Sequence, residues 1–528
     1  MNREDDIARV PVPKWKSLDR TPTSELTSAK GLTPITEVAD GRVERAFALH
    51  ERWRANPTIS NALELIDCSL FVEDLGVFSD AAAQILSSDA TTRTSKKIAH
   101  SVLSRKALNY ADSPKEDSFA EISRKIAENR KGLRSNIRDA LLHSEQARLY
   151  TLIGELDAAE RSFQTALAVA PNNRHILRSY SRFMLHAGDG EVARKRLLRT
   201  ASIKHDPWLQ AAEIALSEVM GKGSQTAALA SKALNEDKIP FEHRSELASA
   251  LATLERAAGN RKKFKRRFGQ SLDNPTDNAL AQAMWFVRDA GSELEIATEV
   301  EPRVALALRR SREALTYSYL SAEKWREAVA SFKSWQKEEQ FSSHIAVQGS
   351  YYAVAFLSDY EAAISFCENA VRANKGSAML WNNLCVAQRR AGHHSEALSS
   401  LTSLKNAARN WRFDPTYLAT DAMMLFSQGE ADLGRAQYIR ALESCADQGD
   451  LALTERVKMH WIMEEAVTGT ISKETRDVLA MKLEKTEAFK KLSNEVQQYW
   501  EIIKREIDRV DALVSRDDPG STVLHQVI

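Results

Sequence analysis

The segment 381–398, WNNLCVAQRRAGHHSEAL, holds side chains of the types that bind metal ions. Cys385, His393, His394 and Glu396 offer thiolate, imidazole and carboxylate groups, which are all ligands of zinc. A zinc site needs at least three convergent ligands, whereas adjacent histidines diverge, and the segment has neither HExxH spacing nor a cysteine pair. We therefore expect no metal and no cofactor, and we interpret the segment as a helical hairpin.

Cysteine usage agrees with this interpretation. Cys385 takes the position of a small residue where two helices approach, and Cys367 falls in the preceding helix, which is expected to pack against it. Free cysteine behaves as a small buried hydrophobe, so both are predicted to be core thiols. The four cysteines of the chain are far apart and form no CxxC pair, which indicates neither a disulfide framework nor a zinc module.

A second candidate motif, MGKGSQTA at residues 220–227, is similar to a phosphate-binding loop. The pattern G-x4-G-K-[ST] would require glycine at Leu216 and a hydroxyl at Gly223, so both ends fail. The segment is better interpreted as a glycine-rich turn between helices. The sequence also lacks a nucleophile elbow, a paired-carboxylate motif and a dinucleotide fingerprint. We therefore predict no catalytic residues and expect that the protein is not an enzyme.

Composition favours a soluble, all-α chain. Only 20 Gly and 13 Pro occur in 528 residues, with 43% apolar and 27% charged residues, and this scarcity of helix breakers argues against many strands and turns. The 73 basic and 72 acidic side chains nearly cancel, so nucleic acid or a membrane would need a local patch. The start MNREDDIARV does not have the pattern of a secretory signal, and we expect a cytoplasmic protein without a membrane partner.

Helical hairpins recur along the chain at steps of about 34 residues. In ARLYTLIGELDAAERSFQTALAVAP, two amphipathic runs meet at Gly154, and Gly188 occupies the same place in the next unit. Segment 381–398 fits the scheme, with Gly392 at its turn. The predicted turns lie at Gly154, Gly188, the Gly221 to Gly223 segment, Gly259, Gly291, Glu323, Ser358, Gly392 and Gly429.

These residues resemble the tetratricopeptide repeat, whose pattern W-x2-L-G-x2-Y is followed by Ala, Phe and Pro at fixed spacings. The resemblance is good over residues 140–171 and 378–405, and it implies an α-solenoid of roughly nine hairpins that binds proteins and catalyses no reaction. The predicted segments are 1–39, a flexible arm; 40–139, irregular hairpins; 140–446, the superhelix; 447–515, capping helices; and 516–528, a tail.

The resemblance also implies a groove lined by the first helix of each hairpin, where an extended peptide or a partner helix would lie. Residues three, four and seven apart share a helix face, and aromatic and Met side chains are typical binding anchors. Packing between repeats is the alternative role for such side chains. The predicted groove residues are Arg148, His175, Arg178, Arg182, Trp285, Tyr317, Tyr352 and Met423. The carboxylate clamp that holds chaperone tails in some members is not found.

A basic patch follows Gly259, in the sequence NRKKFKRRFG. Phe264 and Phe268 are four residues apart and should share the buried face, which leaves the cations on solvated sides. The patch consists of Lys262, Lys263, Lys265, Arg266 and Arg267. It is either an ordinary soluble surface or a phosphate contact, so a nucleic-acid-binding regulator is the alternative function, with nucleic acid a secondary partner.

Both ends of the chain raise the question of partners. Pro-containing residues 1–39 have few apolar clusters and are expected to be ordered only by a partner. The stripe of Val496, Trp500, Ile503 and Ile507 would either seal the solenoid or form a homodimer contact.

A fainter resemblance concerns HDPWLQAAEIALSE at residues 205–218, SELASALATLERAAGN at 245–260 and NPTDNALAQAMWF at 274–286. These stretches are similar to bacterial tetratricopeptide proteins associated with PIN-type nucleases. This resemblance implies a scaffold or regulatory subunit for a nuclease or another effector, for example in phage defence or a toxin pair.

Overall fold

The computed structural model describes most of the chain. The described residues are 9–18, 21, 42–68, 76–88, 91, 96, 99–100, 102–103, 118–236, 239, 243–273, 275–290 and 311–514. Every regular element within these ranges is helical. None of the helices within them is both long and apolar enough to cross a membrane.

The predicted turns between paired helices have left-handed backbone wherever the structure describes them. Positive φ angles occur at Gly154, Gly188, Gly221, Gly259, Glu323, Ser358, Gly392 and Gly429. The remaining predicted turn, Gly291, lies outside the described residues. A left-handed residue after the last helical turn ends a helix and lets the chain reverse, and glycine adopts this conformation without strain. The prediction of stacked hairpins is therefore confirmed.

The described residues form two compact units. The N-terminal unit lies within Ala8–Gln340, and its hairpins follow four less regular helices. Its described α-helices are α1 (Arg42–Ala55), α2 (Ile59–Cys68), α3 (Ser79–Ser87), α4 (Phe119–Ser135), α5 (Ala140–Leu152), α6 (Leu156–Val169), α7 (Arg174–His186), α8 (Gly190–Arg199), α9 (Pro207–Val219), α10 (Ala227–Asn235), α11 (Arg244–Ala257), α12 (Arg261–Leu272), α13 (Asp277–Ala290), α14 (Arg312–Ser321) and α15 (Trp325–Glu338).

The C-terminal unit lies within Phe341–Ile528. Left-handed Gly449 and Gly469 extend its hairpin pattern beyond the last turn predicted from the sequence. Its described α-helices are α16 (Ser343–Leu357), α17 (Tyr360–Val371), α18 (Ala378–Arg390), α19 (His394–Ala407), α20 (Pro415–Ser427), α21 (Ala431–Gln448), α22 (Leu451–Val467), α23 (Lys473–Glu484), α24 (Glu487–Lys490) and α25 (Asn494–Val514).

The hairpin of α5 and α6 illustrates how the repeat sequence forms its core. Asp139 caps α5 by accepting a hydrogen bond from the Leu142 N–H, which satisfies one of the free donors of the first turn. Ala147 and Ala159 are fully buried where the two helices approach, and Phe163 fills the space toward the next hairpin. Small residues at the crossing and a large aromatic beside it are what close helix packing requires.

The candidate metal ligands of segment 381–398 do not converge. Cys385 is buried in α18, whereas His393 and His394 are exposed at the turn and the start of α19. Burial raises the pKa of the Cys385 thiol to about 12, and it does the same for Cys367 in α17. Both cysteines are core thiols, as predicted, and a protonated buried thiol is a poor metal ligand.

The apolar stripe of α25 is covered by helices of its own unit. Val496, Trp500, Ile503 and Ile507 are buried, and α25 packs against α22 and α16. Tyr499, on the same helix, forms a hydrogen bond with His460 at 3.1 Å. These contacts favour the sealing role over a dimer contact, because the stripe is already buried within the chain.

Candidate protein-binding groove

Residues 9–18 lie in contact with the N-terminal unit and are called the docked arm. Every second residue is buried at Pro11, Pro13 and Trp15, while Val12 and Lys14 are partly exposed. A period of two is the pattern of an extended segment that presents one face to a surface. The sequence predicted a flexible arm over residues 1–39, and within it the apolar and cationic side chains of residues 9–18 contact complementary sites on the same chain.

Arg9 is bound by side chains of α13 and α14. Its Nε and Nη2 donate to Oε1 and Oε2 of Glu313 at 2.6 and 2.9 Å, a two-point contact that matches the shapes of both groups. Its Nη1 donates to Oε1 of Gln282 at 2.6 Å, and Nη2 also donates to Oδ1 of Asn278 at 2.8 Å. Asn278 and Gln282 are one helical turn apart on α13, so they face the same guanidinium.

Two lysines of the docked arm bind carboxylates of α13, α14 and α15. Lys14 Nζ lies 2.9 Å from both Asp277 Oδ1 and Glu313 Oε2. Lys16 Nζ lies 3.1 Å from Glu338 Oε2 and is also hydrogen-bonded to Asp277. The surface of α5 to α7 and α13 to α15 that contacts the docked arm is called the groove. Its acidic side has three carboxylates on successive helices, each in contact with a cation of the docked arm.

The same side of the groove recognises the main chain of the docked arm. Asn278 Nδ2 donates to the carbonyl oxygens of Pro11 and Val12 at 3.1 and 3.0 Å. Gln282 Nε2 donates to the carbonyl oxygen of Arg9 at 2.8 Å. Carbonyl oxygens are present in any protein segment, and these contacts therefore hold an extended backbone irrespective of its sequence.

Trp15 anchors the docked arm at the other side of the groove. Its side chain is 1% exposed, and its ring centroid lies 5.2 Å from that of Phe163 in α6 and 6.2 Å from that of Phe183 in α7. Next to it, the Leu18 N–H donates to Glu145 Oε2 of α5 at 3.3 Å. The docked arm thus joins α5, α6 and α7 to α13, α14 and α15.

The charges of the groove and the docked arm stabilise one another. Burial alone would raise the pKa of the Glu313 carboxyl, but Arg9 and Lys14 lower it to about 2. Burial likewise opposes ionisation of Asp277, and Lys14 and Lys16 hold its pKa well below the usual range. Conversely, the carboxylates raise the pKa of all three cations against the effect of burial. Paired burial of this kind is favourable only while both partners are present.

The starts of helices α13 and α14 position the acidic residues. Asp277 and Glu313 each lie in the first turn of their helices, where the helix dipole favours a negative charge. Ser311 caps α14 by accepting from the Ala314 N–H, and its hydroxyl also contacts the carbonyl oxygen of Asp277 at 3.3 Å. The start of α14 is thereby fixed against the start of α13, which sets the spacing of the two carboxylates.

Three of the predicted groove residues lie beside the docked arm. Arg148 donates from Nη2 to Glu145 Oε1 at 2.6 Å and so orients the carboxylate that receives the Leu18 N–H. Burial and the charge of Glu313 raise the pKa of Tyr317, whereas Arg9 lowers it. Arg182 interacts electrostatically with Glu339 and Glu313.

Two further predicted residues support the groove from behind. Arg178 Nη2 lies 3.4 Å from Glu246 Oε2, and Asn278 Nδ2 donates to the same oxygen at 3.3 Å. Arg178 therefore helps to orient the amide that binds the docked arm. His175 is buried, and burial together with the charge of Arg178 lowers its pKa to about 3. A role of these side chains in holding a partner protein stays a prediction.

The remaining predicted groove residues take part in packing. Trp285 is partly buried, with the Arg256 guanidinium 5.1 Å from its ring centroid. Tyr352 is 1% exposed and donates from its hydroxyl to Glu495 at 3.3 Å. Met423 is buried in the core cluster that also contains Cys385. For these three side chains the geometry favours the alternative interpretation, packing between repeats.

The basic patch on α12 requires one correction. Phe264 and Phe268 are buried, as predicted, and Lys262 and Arg266 are exposed, as are Lys263 and Lys265. Arg267, in contrast, is 1% exposed. Its guanidinium donates to Ser231, Asn235 and Gln270 at 2.8 to 2.9 Å. Arg267 lies three residues after Phe264 and so shares its buried face.

Sequence reasoning missed the docked arm and its acidic partners. Asp277, Asn278, Gln282 and Glu313 carry no motif, and Trp15 stands in a segment whose prolines indicated disorder. One signal was available: the run of Lys14, Trp15 and Lys16 combines two cations with an aromatic residue, which is unusual for a solvating tail. No three His, Cys, Asp or Glu side chains in the described ranges converge as a metal site.

Comparisons with known proteins give one family match and several similar solved structures. Residues 142–177 match the family model of the tetratricopeptide repeat. The human IFIT1 dimer with PPP-AAAA is 17% identical, with 74% of this chain and 95% of that chain covered and a TM-score of 0.35. The APC/C hetero-tetramer Cut9–Hcn1 is 12% identical, with 92% of this chain and 92% of that chain covered and a TM-score of 0.36. Yeast Tom70 is 12% identical, with 91% of this chain and 98% of that chain covered and a TM-score of 0.30.

No curated protein sequence matches the chain significantly. The family match covers the hairpin of α5 and α6 and the start of α7. The following hairpins repeat the same helix–turn–helix unit, with a left-handed residue at each described turn. Residues 142–177 therefore form a tetratricopeptide repeat, and the described helices that follow them form further hairpins of the same kind.

Proposed function

We propose that the protein is a non-enzymatic scaffold that holds an extended segment of a partner protein in the groove of its N-terminal unit. One observation carries this proposal: the side-chain amides of Asn278 and Gln282 bind main-chain carbonyl oxygens of an extended segment. Such contacts suit any peptide that lies along the groove. Repeat arrays of this kind use their extended surfaces for protein binding.

The charge of the groove favours a protein over a nucleic acid. Asp277, Glu313 and Glu338 are held on one side of it and would repel a phosphate backbone. A cationic protein segment satisfies the same carboxylates through short, charge-assisted hydrogen bonds. The faint resemblance to scaffolds of PIN-type nucleases makes a nuclease or another effector subunit one candidate for this partner.

Affinity capture from the native host tests the proposal. The tagged full chain, treated with nuclease and washed with moderate salt, should retain a stoichiometric protein. The double variant Asp277→Asn with Glu313→Gln should lose that protein. The control variant Glu128→Gln should retain it, because Glu128 is 59% exposed on α4. Equal capture by the groove variant and the native chain would rule out the groove as the binding site.

A second candidate function is nucleic-acid binding by the outer basic helices. Lys262 and Arg266 are exposed on α12, and a pocket of about 260 Å³ is lined by Lys195, Arg196 and Arg199 of α8. Exposed cations can bind phosphate, and such binding weakens steeply as salt rises.

A gel-shift experiment in 50 and 200 mM salt separates this function from the first. Replacement of Lys262, Lys263 and Arg266 by Glu should abolish a salt-sensitive shift of RNA or DNA. The control Lys232→Glu, 71% exposed on α10, should leave the shift unchanged. A native chain that shifts neither nucleic acid at 50 mM salt excludes the second candidate.

A further inference from the structure

We infer that the docked arm is an intramolecular stand-in for the partner, and that the groove selects a cationic segment of the form Arg-x4-Lys-Trp-Lys. A partner with this chemistry binds by displacing the docked arm. The inference rests on the proposed function and adds to it the class of ligand and a mode of regulation.

The acidic side of the groove needs a cationic occupant. Asp277 and Glu313 are 25% and 7% exposed, and their ion pairs in the described part of the chain join them to Arg9, Lys14 and Lys16 of the docked arm. Without an occupant, two partly desolvated carboxylates would face each other with much of their compensating charge removed. Arg9, Lys14 and Lys16 provide that charge in the native chain, and a partner must provide it when the docked arm leaves.

The aromatic side of the groove defines a second requirement. Phe163 and Phe183 lie 5.3 Å apart between ring centroids, and Trp15 contacts both. A large aromatic side chain inserted beside a charged contact is the usual composition of a binding hot spot. The two lysines flanking Trp15 contact helices α13 to α15, so the order Lys-Trp-Lys fits both sides of the groove at once.

The attachment of the docked arm permits release. Twenty-three residues separate Leu18 from Arg42 at the start of α1, a length that can span up to about 80 Å. A segment bound to its own chain typically has an effective concentration on the order of 1 mM. If the free segment binds with a Kd of about 10 µM, the docked arm should lower the apparent affinity of a competing segment roughly 100-fold.

Fluorescence anisotropy with a labelled peptide of residues 9–18, RVPVPKWKSL, tests the inference on the full chain. The open variant, with Ala at Arg9, Lys14, Trp15 and Lys16, should bind the peptide, and the native chain should bind it about 100-fold more weakly. Adding Glu313→Ala to the open variant should abolish binding. A peptide with Ala in place of its Trp should bind at least 10-fold more weakly.

Equal affinity of the native and open chains overturns the inference, because the docked arm then does not compete. An open variant that keeps its helical circular dichroism and binds no peptide also overturns it. Failure of this assay alone leaves the proposed function standing, since partner capture is measured separately with Asp277→Asn and Glu313→Gln.

Hydrogen exchange on the native chain tests the displacement of the docked arm without the open variant. Excess unlabelled peptide should remove the protection of the Leu18 backbone amide, which donates to Glu145 in the docked state. Unchanged protection at saturating peptide identifies the docked arm as a fixed part of the fold and overturns the inference.

Discussion

The guanidinium of Arg9 and the carboxylate of Glu313 form a two-point ion pair across 304 residues of chain, at 2.6 and 2.9 Å. The two side chains are 11% and 7% exposed. Removing one partner of a buried ion pair leaves the other charged group without compensation, which is costlier than losing an exposed pair. The pair therefore stabilises the docked position of the arm, together with the contacts of Lys14, Trp15 and Lys16.

Glu313→Ala should expose the docked arm to trypsin. Loss of a buried partner costs about 3 kcal/mol, which corresponds to roughly 100-fold faster cleavage after Lys14 and Lys16. Mass spectrometry of the early fragments measures the cleavage rates of the native chain and of the variant. The matched control Glu128→Ala, on an exposed surface, should cleave at the native rate, and equal rates for both variants would contradict the prediction.

Acid should release the docked arm. The folded-state pKa of Glu313 is about 2, below the ordinary value of 4.5, so its contribution is fully present above pH 4.5 and is lost as the pH falls toward 2. The 19F resonance of 5-fluorotryptophan at position 15 should move from a buried to a solvated shift in this window. In Glu313→Gln this component of the transition should be absent. A resonance of the native chain that stays unchanged down to pH 2 would contradict the predicted release of the docked arm.

His175 should make the N-terminal unit less stable in mild acid. Its pKa is about 3 in the folded chain against an ordinary 6.5, so below pH 6.5 the unfolded chain takes up a proton that the folded chain does not. The free energy of unfolding should therefore fall as the pH drops from 6.5 toward 3, by about 1.4 kcal/mol per pH unit.

Urea denaturation at pH 7 and pH 5 measures this contribution. His175→Gln should reduce the native difference between the two pH values by about 2 kcal/mol. His394→Gln, at the exposed start of α19, should leave the difference unchanged. An equal effect of both replacements would assign the pH dependence to other groups.

Arg267 and Lys262 should behave differently although they belong to the same run of cations. Arg267→Ala removes the hydrogen bonds to Ser231 and Asn235 together with the packing of a side chain that is 1% exposed, and it should lower the free energy of unfolding by about 3 kcal/mol. Lys262→Ala, at an exposed position, should change it by less than about 0.5 kcal/mol. Urea denaturation of both variants tests the burial of Arg267 directly.

Glu323→Gly should stabilise the hairpin of α14 and α15. Glu323 has a φ angle of 53° at the turn, a left-handed conformation that costs a residue with a Cβ about 1 kcal/mol. The urea midpoint should rise in Glu323→Gly but not in Glu323→Ala, which keeps the Cβ. A lower midpoint for the glycine variant would show that the side chain of Glu323 contributes more than the backbone strain.

The hairpins could be predicted because their signals are local. Gly154, Gly188 and Gly392 recur at a regular step beside small and aromatic residues, and every contact within a hairpin spans fewer than 40 residues. The burial of Arg267 was also within reach, since its position three residues after Phe264 places it on the buried face.

The groove could not be predicted in the same way. The partners of Arg9 and Lys14 lie more than 250 residues further along the chain, and no local period connects them. Asp277 and Glu313 lie in the first turns of their helices, where acidic residues are common because they interact favourably with the helix dipole. Prolines and cations in residues 9–18 resemble a solvated tail until their binding site is known.

The wide separation of Arg9 and Glu313 also sets an order of events during synthesis. Arg9 precedes Glu313 by 304 residues. At roughly 5 to 20 residues per second, the ribosome therefore adds Glu313 about 15 to 60 s after Arg9. Phe163 and Phe183 are complete long before that, so Trp15 has its aromatic site while its neighbouring lysines still lack their carboxylates. The docked arm is thus synthesised before its acidic partners, and it can take its final place only after Glu313 has been added.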